Sequence, residues 1–150
     1  MTARWAMAVA TMGGLGRLPA PGTFGALPAL PFALLGPLPC LALGVVVAAG
    51  GYVAARKVLD GDEASDPGWI VVDETAGMLL ALGGLGSAPT LLGVLVAFLL
   101  FRLLDIAKPW PVSWADRQHG AFGVMLDDFI AGVGALAILI ALRMALPGVF

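Results

Sequence analysis

Apolar residues along this chain come in long blocks, separated by short stretches that are either polar or rich in Gly and Pro. Residues 12–25 form the first such stretch, a Gly/Pro/Thr loop with one arginine. The apolar block that follows is interrupted by Gly36-Pro37-Leu38-Pro39, a strong breaker. It divides into a short segment, residues 27–35, and a long one, residues 40–59. A polar, acidic turn covers residues 60–68. There Asp60, Asp62 and Glu63 read as solvated surface, and Asp66-Pro67 as a helix cap with proline at the first helical position. A second short apolar segment, residues 73–82, ends at the Gly-rich run from Gly83 to Pro89. The pattern then predicts a helix over residues 89–107, stopped by Lys108-Pro109. After a loop rich in Trp and Pro, it predicts a last helix over residues 124–146. Pro28 and Pro89 suit helix starts. The expected fold class is all-α.

Charge sharpens this picture. Fifteen of the eighteen charged residues lie between Arg56 and Asp128; Arg4, Arg17 and Arg143 are the others. No charge interrupts the chain between Arg17 and Arg56 or between Glu74 and Arg102, and both gaps exceed the roughly 20 residues of a membrane helix. The gap from Asp128 to Arg143 suffices if Arg143 snorkels. Hydrophobic residues make up 60% and charged residues 12% of the 150, against roughly a quarter charged in a soluble domain, so a water-soluble monomer is not expected. The length suits a single domain over residues 1–150. Arg4 precedes too short an apolar stretch for a cleavable signal, and Gly13-Gly14 breaks it, which makes the membrane the mature address.

Residues 27–35 and 73–82 are too short to cross a bilayer at about 1.5 Å per residue. Each reads as a re-entrant or half-inserted helix in a small membrane-embedded bundle, turning at its Gly/Pro break and pairing with the long helix that follows. Residues 12–26, 60–74 and 102–128 then return to one side. Arg17, Arg56, Lys57, Arg102, Lys108 and Arg117 make that side the positive, cytoplasmic one. A net charge of −2 argues against nucleic acid as a partner. A homo-oligomer is compatible with the pattern. With one cysteine and one histidine there is no disulfide framework and no Cys- or His-rich zinc site.

The acidic residues cluster at segment ends: Asp73-Glu74, Asp105 and Asp127-Asp128. A carboxylate at the bilayer centre costs at least ~2.5–3.5 kcal/mol, so these five sit at an interface or face the bundle interior with a partner. Convergent carboxylates need a cation, and a hard one such as Mg²⁺ suits oxygen ligands completed by water and phosphate. For Asp127-Asp128 the helix dipole at the start of the last helix is an equal alternative. Arg102, Asp105 and Lys108 follow at intervals of three on one helix face, as an ion-pair ladder or as a metal ligand between two phosphate-holding cations. The Gly-rich loop, with Arg17 and the Thr23 hydroxyl, can bind phosphate through free N–H groups, although glycine also serves tight helix contacts. Ala131, Gly132 and Ala135 suit such contacts in the last helix. Trp110-Pro111 and Trp114 read as an interfacial aromatic belt, ahead of a role in stacking on a ligand. His119 reads as a hydrogen-bonding loop residue. Cys40, in an apolar run without a nearby Arg or His, argues against a cysteine-nucleophile phosphatase.

Four motifs appear in order: Gly14-Leu-Gly-Arg-Leu-Pro-Ala-Pro-Gly-Thr23-Phe-Gly25, Ile70-Val-Val-Asp-Glu-Thr-Ala-Gly77, Phe101-Arg-Leu-Leu-Asp-Ile-Ala-Lys-Pro-Trp-Pro111 and Gly123-Val-Met-Leu-Asp-Asp-Phe-Ile-Ala-Gly132. Together they resemble the phosphatidylglycerophosphatase A family of bacterial membrane lipid phosphatases. The resemblance implies Mg²⁺-dependent hydrolysis of the terminal phosphate monoester of phosphatidylglycerophosphate, a step of phospholipid biosynthesis, on the cytoplasmic side of the inner membrane. Asp73, Glu74, Asp105, Asp127 and Asp128 are then expected to hold one or two Mg²⁺ and to carry the catalysis, with Arg17, Thr23, Arg102 and Lys108 binding the substrate phosphate. Attack by an activated water and an aspartyl-phosphate route through Asp127 or Asp128 both remain open. Related soluble proteins share the motif pattern, so the bundle need be only partly embedded. Two other classes stand beside this one: a phosphatase for another lipid phosphate, and a cation-binding membrane transport protein, whose signature would be carboxylates spaced through the apolar spans, where none is expected in this chain.

Overall fold

The computed structural model describes residues 4–60 and 67–147, and all regular structure among them is helical. Helix α1 (Arg4–Ala10) leads into a 3-10 turn (Met12–Arg17) and helix α2 (Pro21–Ala26). Residues 12–25, expected as a loop, therefore carry two short helical pieces. A 3-10 helix (Leu27–Leu35) follows, with the bounds that the hydrophobic pattern predicts. Pro28 falls in its first turn, where it breaks no helical bond, while the ring of Pro31 inside it would crowd the carbonyl four residues back in an α-helix, which disfavours continuous α-winding.

Gly36 alone makes the next turn, at φ 88° and ψ 176°, a conformation open to glycine. Helix α3 (Pro37–Leu59) then begins three residues before the expected start. Pro37 and Pro39 fall in its first turn, where a missing N–H breaks no helical bond, so the second half of the expected breaker is a helix start. Asp62, Glu63 and Asp66 lie outside the described residues. Pro67 opens a turn closed by Ile70 N–H donating to its carbonyl at 3.0 Å, and helix α4 (Val72–Leu82) starts only at Val72, so Pro67 is not a first helical residue. Helix α5 (Leu91–Ala107) starts beyond Pro89, with the Thr90 hydroxyl accepting from Gly93 N–H at 2.9 Å. The Trp/Pro-rich loop contains helix α6 (Val112–Asp116), and helix α7 (Gly120–Ala145) begins four residues before the expected position.

Helix α4 is the axis of the bundle. Every residue of it except Glu74 is buried, and α2, the Leu27–Leu35 helix, α3, α5 and α7 all pack against it. The core around it mixes small residues such as Ala29, Cys40, Ala97, Ala131 and Ala135 with Met78, Leu82, Phe101 and Leu139. Larger apolar side chains face outward instead: Leu38 and Val46 on α3, Leu91 and Leu103 on α5, Met144 on α7. Helices α3 and α7 are long and apolar enough to cross a membrane, with only 28% and 44% of their most apolar stretches buried.

The polar segments collect at one end, as the paired-helix arrangement predicts. Val71 N–H donates to Ala10 O at 2.8 Å, Gly16 abuts Trp69, Gly22 abuts Glu74 and Arg102, and Lys108 pairs with Asp127. At the opposite end Gly83 packs on Leu41, Gly84 packs on Leu136 and Leu139, and Arg143 donates to Gly84 O at 3.4 Å.

Candidate active site

The site is built where α4 and α7 touch backbone to backbone. A Cβ on Gly132 would lie 2.3 Å from Gly77 O, and one on Gly77 would lie 2.5 Å from Asp128 O and 2.6 Å from the Phe101 ring. The two helices run side by side in the same direction, since Gly84, just past the end of α4, meets Leu136 and Leu139. Asp73 precedes Gly77 by four residues and Asp128 precedes Gly132 by four, about one helical turn in each case. The glycine crossing thus brings the two carboxylates together. Glu74 completes the group: Asp73, Glu74 and Asp128 each offer an oxygen, all within 4.8 Å of one another.

Asp73 and Asp128 are buried, while Glu74 is half-buried. Glu74 Oε2 and Asp128 Oδ1 are shut from solvent without a hydrogen-bond partner. Burial, then the neighbouring Glu74 charge, then those of Asp128 and Asp127 push Asp73 well above the usual carboxylate range. Burial also raises Glu74, against the opposing hydrogen bond from Asp73. Unpartnered, mutually repelling buried oxygens are what a divalent cation relieves, and an all-oxygen donor set suits Mg²⁺ or a similar hard ion. The residues present therefore fit such an ion.

Of the other two expected acidic residues, Asp105 pairs with Arg102 on α5 and lies close enough to Asp128 for their carboxylates to interact. Asp127 accepts from Lys108 Nζ at 2.8 Å and, through its other oxygen, from Asp128 N–H at 3.0 Å. Neither belongs to the group of three. Both Asp127 and Asp128 sit well inside α7, beyond its first turn, which removes the helix-dipole reading of this pair. Their place inside a helix apolar enough to cross a membrane also corrects the expectation that the apolar spans carry no carboxylate.

Helix α2 seats over the acidic group. A Cβ on Gly22 would stand 2.7 Å from both Glu74 Oε1 and Arg102 Nη1, and Thr75 Oγ1 donates to Gly25 O at 2.5 Å. Arg102 is half-buried, with its Nε unpartnered. The expected ladder stops at Arg102–Asp105, because Lys108 leaves the helix in a left-handed conformation and joins Asp116 and Asp127 instead. Burial pulls the Lys108 ammonium down, but Asp116 first and then Asp127 outweigh this and hold it above the usual lysine range. Arg17, the last residue of the Met12–Arg17 turn, is exposed, and Thr23, in the middle of α2, is half-buried. His119 is exposed at the start of α7. The Cys40 thiol is buried and donates to Phe32 O at 3.1 Å.

Thr75 and Asp116 were not singled out in the sequence. For Thr75 the available signal was a hydroxyl inside an apolar segment, which needs a buried partner. Asp116, in the Trp/Pro-rich loop, carried no comparable signal.

The chain matches the family described as Phosphatidylglycerophosphatase A over residues 8–143. It is 40% identical over 124 residues to phosphatidylglycerophosphatase A of Escherichia coli, covering 79% of this chain and 72% of that protein. Against phosphatidylglycerophosphatase A of Haemophilus influenzae it is 33% identical over 135 residues, 83% of this chain and 80% of that protein. A Bacteroides thetaiotaomicron protein, named a candidate phosphatidylinositol-3-phosphatase, is 38% identical over 136 residues, 83% of this chain and 84% of its own length. No solved structure matches the chain. The match embraces all four motifs and every carboxylate of the acidic group, and the chain belongs to the phosphatidylglycerophosphatase A family.

Proposed function

We propose that this chain hydrolyses the terminal phosphate monoester of phosphatidylglycerophosphate, releasing phosphatidylglycerol and inorganic phosphate, as one catalytic domain at the cytoplasmic face of a bacterial inner membrane. The observation that carries the reading is the buried group of Asp73, Glu74 and Asp128, with unpartnered oxygens beside Arg102, in a chain of this family. Those three residues would hold Mg²⁺, with Asp105 and Asp127 at its margin, and the bound ion would neutralise charge on the phosphate and raise the nucleophilicity of water.

The chain's own residues do the rest. Arg102 grips phosphate oxygens from within the site, and Lys108 does so from its edge. Arg17, exposed on the Gly-rich segment, and the Thr23 hydroxyl close on the phosphate from the α2 side. Phosphate-ester hydrolysis is among the slowest uncatalysed reactions, so placing these charges in advance is the main catalytic demand. If the reaction passes through an aspartyl-phosphate, Asp128 is the better-placed nucleophile, because Lys108 and the Asp128 amide already engage Asp127.

Phosphate release from phosphatidylglycerophosphate micelles by the detergent-purified protein, with Mg²⁺ and with EDTA, tests the proposal. Release is expected with Mg²⁺ only, and Asp128→Asn is expected to lose about 10²-fold or more. Absence of release from folded, Mg²⁺-loaded protein overturns it. Loss of turnover in Asp128→Asn with Mg²⁺ affinity intact would instead point to the covalent route. The Bacteroides relative favours a second reading, a phosphatase for a different lipid phosphate. Comparing release from phosphatidylglycerophosphate and phosphatidylinositol 3-phosphate separates the two. Cation flux into liposomes without phosphate release would mark a transport protein.

A further inference from the structure

Lys108 is held twice. Its ammonium pairs with Asp127 of α7 at 2.8 Å on the inner side and with Asp116 of α6 on the outer side. The backbone fixes where this cation can be: Lys108 caps α5 at φ 45° and ψ 53°, its amide donates to Leu104 O at 2.9 Å, and Pro109 follows. An anion that uses Lys108 must therefore come to it. One cation between two carboxylates is more than neutralised, so an approaching phosphate meets net negative charge until one carboxylate withdraws.

The two carboxylates are not equally free to withdraw. Asp127 is 12% exposed at its side chain and also accepts the Asp128 amide; Asp116 is 38% exposed, on a five-residue helix. Water can take over the hydrogen bonds of Asp116 at small cost, while displacing Asp127 would strand a carboxylate beside Asp73 and Asp105, with which it already interacts. We infer that Asp116 occupies, in the resting protein, the place on Lys108 that a phosphate oxygen takes in the complex, and is a positioning residue that sets how tightly the site holds phosphate. This rests on the reading of Lys108 as a phosphate-binding cation. It gives the site a resident competitor that speeds the departure of inorganic phosphate.

The test measures inorganic phosphate binding by calorimetry on the full chain in detergent with Mg²⁺, alongside KM and product inhibition with the lipid. Because an exposed pair is worth little, Asp116→Asn should bind phosphate about two- to fivefold more tightly and lower KM in the same proportion. Asp116→Glu should behave as wild type. In a Lys108→Met background, where phosphate binds more weakly, Asp116→Asn should have no further effect. Unchanged or weaker phosphate binding in Asp116→Asn overturns the inference, and so does equal tightening with Lys108→Met, which would mean a general charge effect. Asp116→Ser replaces the Asn variant if the latter melts early. Failure of the functional reading looks different: wild type then releases no phosphate from lipid, or Lys108→Met binds phosphate as wild type does.

Discussion

Successive residues on an α-helix point about 100° apart, so the adjacent Asp127 and Asp128 leave α7 in different directions. Asp128 faces α4, one turn before Gly132, and Asp127 turns toward Lys108. That five acidic residues collect toward one end of the bundle was legible in the sequence from their position at the ends of apolar segments. Which three gather was not, because the choice depends on how α4 and α7 are rotated against each other. Asp73 carries a consequence for pH. With burial and then the Glu74 charge raising its carboxyl, the folded protein keeps a proton there that the unfolded chain releases near pH 4. The stability tied to this group is therefore full below that value and declines as pH climbs toward the raised one. In EDTA the protein should melt lower at pH 8 than at pH 5. Asp73→Asn or added Mg²⁺ should narrow the difference, as thermal melts in detergent would show.

The long helices α3, α5 and α7 follow the apolar pattern to within four residues at each end. Short pieces escaped it for a shared reason. Helix α2, the Met12–Arg17 turn and the opening of α7 are rich in Gly or Pro, whose weak helix propensity is overridden by packing against Trp69, Glu74 and Gln118. The start of α7 matters most, because without Gly120–Gly123 in the helix Asp127 and Asp128 look like a capping pair. Ala131, Gly132 and Ala135 were expected to serve close packing, and all three are buried. Their role at the crossing predicts that Gly132→Ala, with a Cβ 2.3 Å from a backbone oxygen that cannot swing aside, separates α4 from α7. Overpacking of this kind costs about 1–3 kcal/mol. Phosphate release should fall further than the melting temperature suggests, because Asp73 and Asp128 move apart; full activity at a lowered melting point would contradict this.

Across the whole molecule, small residues line much of the interior while many of the larger apolar ones face out, an arrangement suited to lipid, where close backbone approach replaces the hydrophobic drive. The paired-helix topology puts Arg117 at the charged end and Ser87 in the connection at the other, both exposed. In membrane vesicles, cysteines placed at these positions should label from opposite sides, with Cys40 buried and silent. Labelling of both from one side would refute the orientation. Helix α4 has a consequence for how such a protein is made. Its neighbours on one side, α2 and α3, leave the ribosome first, but the wall formed by Phe101, Asp128 and Gly132 arrives only with α5 and α7. Until then Asp73 has no Asp128 beside it, and Gly77 lacks the neighbours that close on it. The acidic group is therefore complete only once α7 has joined α4, and a chain cut short before α7 lacks Asp128 and is expected to release no phosphate.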